Sequence, residues 1–278
     1  MDRLHRAIKN VHRLDDLAAR GTALTRLPPL PKLLAVLVYL CVTLSFQKYA
    51  LTGLLDALTF AVAPGERVGL VGCNGVGKST LLKILVGILP IQTGALTVGG
   101  LPMERKNLAE IRRKVGYIFQ DSDSQLFMPT VRADVAFAAE NYGYPPEEVA
   151  ARTRRALTAV HMEHCADRPV YRLSGGQKKL ASIAGILTLD PALILMDEPS
   201  AALDPRNRRA LIGILNALPC AKLIASHDLD FIYDTCDRVL LLHHGQLAAD
   251  GPAREILCDK TLLEKCELEL PLRWQRDF

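Results

Sequence analysis

The stretch Gly72-Cys73-Asn74-Gly75-Val76-Gly77-Lys78-Ser79 decides the fold. It follows the apolar run Arg67–Val71 and precedes an apolar-periodic run from Thr80 to Leu89, so a strand feeds a glycine-rich loop that feeds a helix. Glycines let backbone amides turn inward around phosphate oxygens, and the amides of a helix N-terminus add fixed positive potential. Lys78 has the reach for β- and γ-phosphates, and the hydroxyl of Ser79 is suited to the Mg²⁺ that accompanies ATP. Residues 72–80, from Gly72 through Thr80, therefore read as a seat for ATP. Cys73 lies inside this loop, where a thiol is either acidified and reactive or simply a tolerated small residue.

Outward from the loop, short apolar runs alternate with longer amphipathic stretches from Glu66 onward, the pattern of a parallel sheet flanked by helices. Strands are predicted at Arg67–Val71, Ala192–Met196, Lys222–Ala225 and Arg238–Leu242. A small antiparallel hairpin is predicted over Thr93–Met103, punctuated by Gly94 and by Gly99-Gly100. A helical region is predicted from Glu147 to Cys165, opened by Pro145-Pro146. Leu193-Ile194-Leu195-Met196-Asp197-Glu198-Pro199 is an apolar strand ending in two carboxylates. If it runs parallel to the strand before the loop, both end at one sheet edge. Asp197 would there hold hydrated Mg²⁺, and Glu198 would orient and deprotonate the attacking water.

The composition excludes several classes. A net charge of +4 without a long Lys/Arg run is not the footprint of a nucleic-acid binder. The seven cysteines are odd in number, scattered and never spaced Cys-x-x-Cys, which argues against a disulfide framework or a zinc site and for a reducing cytoplasm. No secretory signal opens the chain. Half the residues are apolar, enough for a full core. The N-terminus stays open between two readings. Val42–Gln47 alternates as a half-buried strand does, whereas Leu33–Gln47 is an uncharged run of about 15 residues, roughly 22 Å as a helix and short of a full membrane span.

Leu173-Ser174-Gly175-Gly176-Gln177 narrows the class. It resembles the signature of the ATP-binding cassette (ABC) family and lies upstream of the Asp-Glu strand, as in that family. Gln120 after Tyr117-Ile118-Phe119, Ser200-Ala201-Ala202-Leu203-Asp204 after Glu198, and His227 after Ser226 complete the order of motifs. The resemblance implies an α/β P-loop NTPase of ABC type, with a parallel core sheet, a small antiparallel β subdomain and a helical subdomain. In physical terms Ser174 and the amides of Gly175 and Gly176, ahead of Gln177, make a second anion cradle. The family pattern implies that this cradle closes over the nucleotide of a second ABC subunit, homo- or heterodimeric, with Asp204 in the dimer loop. It further implies that Gln120 senses nucleotide, Mg²⁺ and water, that His227 contacts the γ-phosphate beside the catalytic Glu198, and that an aromatic ahead of Leu58-Thr59-Phe60, here Tyr49, stacks on adenine. The metal set is then Ser79, Gln120 and Asp197.

Phe119–Val131 with Asp134-Val135-Ala136-Phe137, and the tail Ala249–Pro252 through Leu268–Pro271, look like ATPase subunits of energy-coupling factor importers, above all their cobalt and nickel branch. The resemblance covers residues 42–278 and implies a peripheral protein at the cytoplasmic face of the cell membrane, working with transmembrane coupling and substrate-binding subunits. A vitamin importer is the alternative. Leu126-Phe127-Met128 reads either as a surface groove for such a subunit or as core. Residues 1–41 depart from the pattern. His12–Arg20, Pro31–Leu34 and Ser45–Leu55 look like the opening of the transmembrane coupling component, which implies a fusion that is membrane-tethered and catalytically weakened if the first strand is replaced. His161-x-x-His164-Cys165 has the residue types of a chelate, but an exposed helical face is the simpler reading, and His243-His244 takes the same discount.

Overall fold

The structure is a computed structural model that describes residues 58–91 and 93–275. Tyr49, the alternatives for residues 33–47 and the division at residue 41 lie outside the described residues. The central sheet has the strand order β4-β5-β6-β1-β7-β8, formed by β1 Arg67–Val71, β4 Val115–Ile118, β5 Leu193–Asp197, β6 Ala221–Ala225, β7 Arg238–His243 and β8 Gln246–Pro252. The first five strands in that order run parallel and β8 is antiparallel to β7. The four predicted strands are present within one residue at each end.

Parallel strands covered on both faces need apolar side chains throughout, and Ile194, Leu195, Met196, Leu223, Ile224, Val239, Leu240 and Leu241 are all fully buried. Lys222 interrupts β6 yet is 1% exposed. Its ammonium donates to the carbonyls of Leu218 (2.6 Å) and Cys220 (2.9 Å), where the helix ahead of β6 ends and a cation is favoured. The predicted hairpin shrinks to β2 Thr97–Val98 and β3 Leu101–Pro102. Gly99 and Gly100 join them at φ 55° and 78°, both left-handed, as a two-residue primed turn requires.

Helices α1 Lys78–Leu85, α2 Leu108–Lys114, α3 Val131–Asn141, α4 Pro146–Ala159, α5 Gly175–Leu187, α6 Pro205–Ala217, α7 Leu229–Thr235, α8 Ala253–Cys258 and α9 Lys260–Lys265 complete the described chain. Their starts follow side-chain chemistry. Thr130, Ser174, Asp204, Asp228 and Asp259 each cap a helix through backbone amides, and Ser174 with Gln177 forms a reciprocal capping box. No helix among the described residues is long and apolar enough to cross a membrane.

The predicted helix over 147–165 is corrected: it stops at Ala159. The amide of Met162 bonds the carbonyl of Leu157 (2.9 Å) and that of His161 bonds Thr158 (3.0 Å), the paired closure of a Schellman motif. His161 takes the left-handed position at φ 58°, and the buried Leu157 and Met162 supply the accompanying apolar contact. His161, His164 and Cys165 consequently do not share a helical face. Glu163–Cys165 is a separate 3₁₀ turn, and the buried Cys165 thiol sits 3.7 Å from the amide nitrogen of Gln177. Among the described residues no group of three His, Cys, Asp or Glu side chains is placed to hold a metal.

Candidate nucleotide site

Because β1, β6 and β5 are consecutive and parallel, the loop after β1 and the carboxylates after β5 reach the same sheet edge. The loop starts at Gly72, where a Cβ would come within 2.6 Å of the Leu242 carbonyl, so only glycine lets the chain turn against β7. Gly77, left-handed at φ 110°, releases the chain into α1. Asn74 and Gly75 stay exposed, whereas Val76 anchors the loop in the core and Cys73 packs half-buried against that core. The buried Lys78 ammonium donates to the carbonyls of Gly72 (2.6 Å) and Cys73 (3.1 Å). Burial lowers its pKa, opposed by the charges of Glu198, Cys73 and Asp197. Thr80 follows in the first turn of α1.

Ser79 Oγ donates to Asp197 Oδ1 at 2.9 Å, bringing together two of the three predicted metal ligands, which the sequence sets far apart. One hydroxyl and one carboxylate are hard oxygen donors that leave the other coordination positions to phosphate and water, which fits Mg²⁺. The phenol of Tyr117, on β4, stands 3.5 Å from Asp197 Oδ2. Its pKa is pushed well up, first by burial and then by the Asp197 charge, so it stays a donor.

Glu198 sits just past β5 at φ 47°, a left-handed conformation that costs free energy in a non-glycine residue and clusters at functional sites. The residue is 8% exposed, and its carboxylate is held from three directions. Ser226 Oγ donates to Oε2 (2.9 Å), the His227 amide donates to Oε1 (3.0 Å), and His227 Nδ1 lies 2.9 Å from Oε2. His227 itself is mainly exposed, with 62% of its side chain accessible. The loop carrying it is pinned from behind: Arg208 grips Asp228 with two hydrogen bonds (2.9 and 3.1 Å), and Asp228 caps α7.

Gln120 lies exposed just past β4, whose Ile118 pairs with Met196, so it borders the same edge. Ser174 and Gly175 are exposed at the start of α5, and Gly176 is buried against Asn207. Among the described residues no hydrogen bond joins Ser174, Gly175 or Gly176 to the loop 72–80. Asp204 accepts from the amides of Arg206 and Asn207, both at 2.9 Å, behind Gly176. The Leu126-Phe127-Met128 alternatives divide: Leu126 is buried and Phe127 is 64% exposed. Phe127 stacks edge-on with Phe137, their centroids 4.8 Å apart, at the rim of a cleft that Tyr117, Gln125, Asp134 and Ser182 help to line.

Sequence reading missed Tyr117, Gln125 and Lys179. Gln125 accepts from the Phe119 amide at 3.2 Å. Lys179, 3% exposed, donates to the carbonyls of Phe119 and Gln120. Burial lowers its ammonium to about 8 against the charges of Asp121 and Asp197. A tyrosine in an apolar strand and a lysine in an amphipathic helix carry no sequence signal that separates them from ordinary core and surface.

Known proteins agree with this architecture. A family model described as ABC transporter matches residues 55–201. A protein of Geobacter sulfurreducens, named a "putative ABC transporter ATP-binding protein", is 46% identical over 224 residues, 81% of this chain and 90% of that protein. The energy-coupling factor transporter ATP-binding protein EcfA of Methanocaldococcus jannaschii is 40% identical over 225 residues, 79% of this chain and 81% of that protein. The structure of cbiO1 from Clostridium perfringens, described as part of the ABC transporter complex cbiONQ, superposes with a TM-score of 0.70 at 35% identity. That match covers 76% of this chain and 87% of cbiO1. A dimeric, post-hydrolysis ATP-binding cassette bound to ADP and phosphate superposes with a TM-score of 0.64 at 25% identity, covering 72% of this chain and 90% of that one. The phosphate loop, the paired carboxylates and the capped signature helix thus stand in the fold of that family, and this chain belongs to it as the ATP-hydrolysing subunit of an ABC transporter.

Proposed function

We propose that the chain energises an importer of the energy-coupling factor type for cobalt or nickel ions, as one of two head-to-tail ABC subunits on the cytoplasmic face of the membrane. The observation that carries this reading is the exposed Phe127–Phe137 pair on the segment that follows Gln120. A contiguous aromatic rim beside a cleft is a surface for an apolar helix of a membrane partner. The EcfA and cbiO1 relatives support the energy-coupling factor type.

Residues 72–80 bind the phosphates, with Lys78 turning from the Gly72 and Cys73 carbonyls to the β- and γ-oxygens. Ser79 and Asp197, with Gln120 at the sheet edge, hold Mg²⁺, which when bound neutralises charge on the transferring phosphoryl group. Glu198 takes the proton of the attacking water, and His227 moves from the Glu198 carboxylate toward the γ-phosphate. Ser174, Gly175, Gly176 and Gln177 serve the partner's nucleotide, consistent with the exposure of Ser174 and Gly175 and, among the described residues, with the lack of hydrogen bonds from Ser174, Gly175 and Gly176 to the loop of their own chain. Asp204 sets the dimer loop between the two sites. The test is co-expression with transmembrane coupling and substrate-binding subunits, measuring cobalt and nickel uptake. The reading predicts uptake that Glu198→Gln reduces to background; uptake equal in wild type and variant contradicts it.

A further inference from the structure

Lys179 is a buried cation that none of the assigned roles uses. It lies little more than one turn past Ser174 on α5, and it points away from that exposed helix start into the core, beneath the segment that leaves β4. Its ammonium donates to Phe119 O at 2.8 Å and Gln120 O at 2.9 Å. β4 ends at Ile118, so these two carbonyls are beyond the strand ladder, and the lysine supplies their hydrogen bonds. An apolar side chain would fill the same space in α5, among the buried Ala181, Ile183 and Ala184, without the cost of desolvating a charge. What an apolar residue could not do is fix the peptide that carries Gln120. The neighbouring contacts act on the same segment: Lys178 pairs with Asp123, and Gln125 accepts from the Phe119 amide. The segment 119–125 is thus held to α5 by adjacent lysines, of which only Lys179 grips the backbone of Gln120 itself.

We propose that Lys179 is a positioning residue: by fixing the Phe119 and Gln120 carbonyls it sets where the Gln120 side chain stands, and it ties that placement to the helix whose N-terminus carries Ser174. A displacement of α5 is therefore transmitted to Gln120 through two charge-assisted hydrogen bonds. The proposal rests on the reading of Gln120 as a residue that senses the metal–nucleotide complex.

The test is a double-mutant cycle in the full chain carrying Glu198→Gln, so that nucleotide is not consumed, with the affinity for Mn²⁺·ATP read by electron paramagnetic resonance. Gln120→Ala and Lys179→Met are each expected to weaken binding by about fivefold, and the double variant to be no weaker than Gln120→Ala alone within about twofold. Hydrogen exchange should also quicken at the amides of 119–125 in Lys179→Met, while the exchange of β5 is unchanged. Losses that multiply in the double variant, or a Lys179→Met protein that binds as the parent does, overturn the proposal while leaving the reading of Gln120 intact. A Gln120→Ala protein that binds as the parent does removes that reading and the proposal with it. If Lys179→Met lacks the helical circular dichroism of the parent, the cycle is run with Lys179→Gln and judged by the same criterion.

Discussion

Gly176→Ala tests whether the start of the signature helix and the start of α6 are built as one packed unit. A Cβ on Gly176 would stand 2.7 Å from Asn207 Cγ and 2.9 Å from its Nδ2. Asn207 cannot simply rotate away, because its Nδ2 donates to Asp204 Oδ2 and its backbone amide to Asp204 Oδ1 (2.5 and 2.9 Å). Forcing a methyl into such a contact costs about 1–3 kcal/mol. Loosening a hydrogen bond to a carboxylate adds about 1–2 kcal/mol, and replacing glycine by alanine in a helix returns about 1 kcal/mol. The expected net destabilisation is about 1–4 kcal/mol, read from urea unfolding of the full chain. Asn207→Ala removes the atoms of closest approach. In the Asn207→Ala background the cost of Gly176→Ala should therefore shrink by about 1–2 kcal/mol. A Gly176→Ala protein as stable as wild type, or costs that add without coupling, would refute the packing argument.

Three further outcomes follow from the same structure. His161 occupies a left-handed position that favours glycine, so His161→Gly should raise stability by about 0.5–1 kcal/mol in urea unfolding, and a loss would contradict the helix ending described above. Acid should destabilise the fold through Asp250 and Asp228. The Arg238 guanidinium holds Asp250 below the usual carboxylate range, and for Asp228 the hydrogen bonds from Arg208 and the α7 amide outweigh the upward effect of burial. Such groups contribute stability above the unfolded value of about 4 and lose it as pH falls through their lower folded values. Urea midpoints measured from pH 6 to pH 3 should accordingly fall less steeply in Asp250→Asn than in wild type, and identical slopes would count against this account. Among the described cysteines, Cys258 is exposed whereas Cys236 is buried, with its thiol pushed up to about 12 by burial. Alkylation at pH 8, followed by peptide mass spectrometry, should label Cys258 first and spare Cys236 until urea is added; equal native labelling would show that Cys236 is not enclosed.

The sheet and the phosphate site were legible because their signals are local. A buried parallel strand must be an unbroken apolar run, and a phosphate loop must carry its glycines, lysine and hydroxyl in sequence. The place of Asp197 and Glu198 at the sheet edge was legible for the same reason, since both directly end an unbroken apolar run. The end of α4 was not, because a histidine rather than a glycine took the left-handed position and the helix formers on either side continued the apparent pattern. Lys179 and Tyr117 were hidden for a different reason. Their roles come from which backbone or carboxylate lies opposite them across the sheet and α5, and spacing along the chain does not encode that.

In the proposed mechanism Glu198, clasped by Ser226 and His227 at the edge of the sheet, activates the water that attacks ATP. The most direct measurement is the rate of phosphate release by the full chain with saturating Mg²⁺ and ATP, wild type beside Glu198→Gln, with nucleotide affinity measured in parallel. The variant keeps the shape of the side chain and its place beside Ser226 but cannot take a proton at neutral pH. A loss of about a hundredfold or more in turnover, with ATP affinity retained within about threefold, is the predicted result. Turnover by Glu198→Gln within a few-fold of wild type would contradict it.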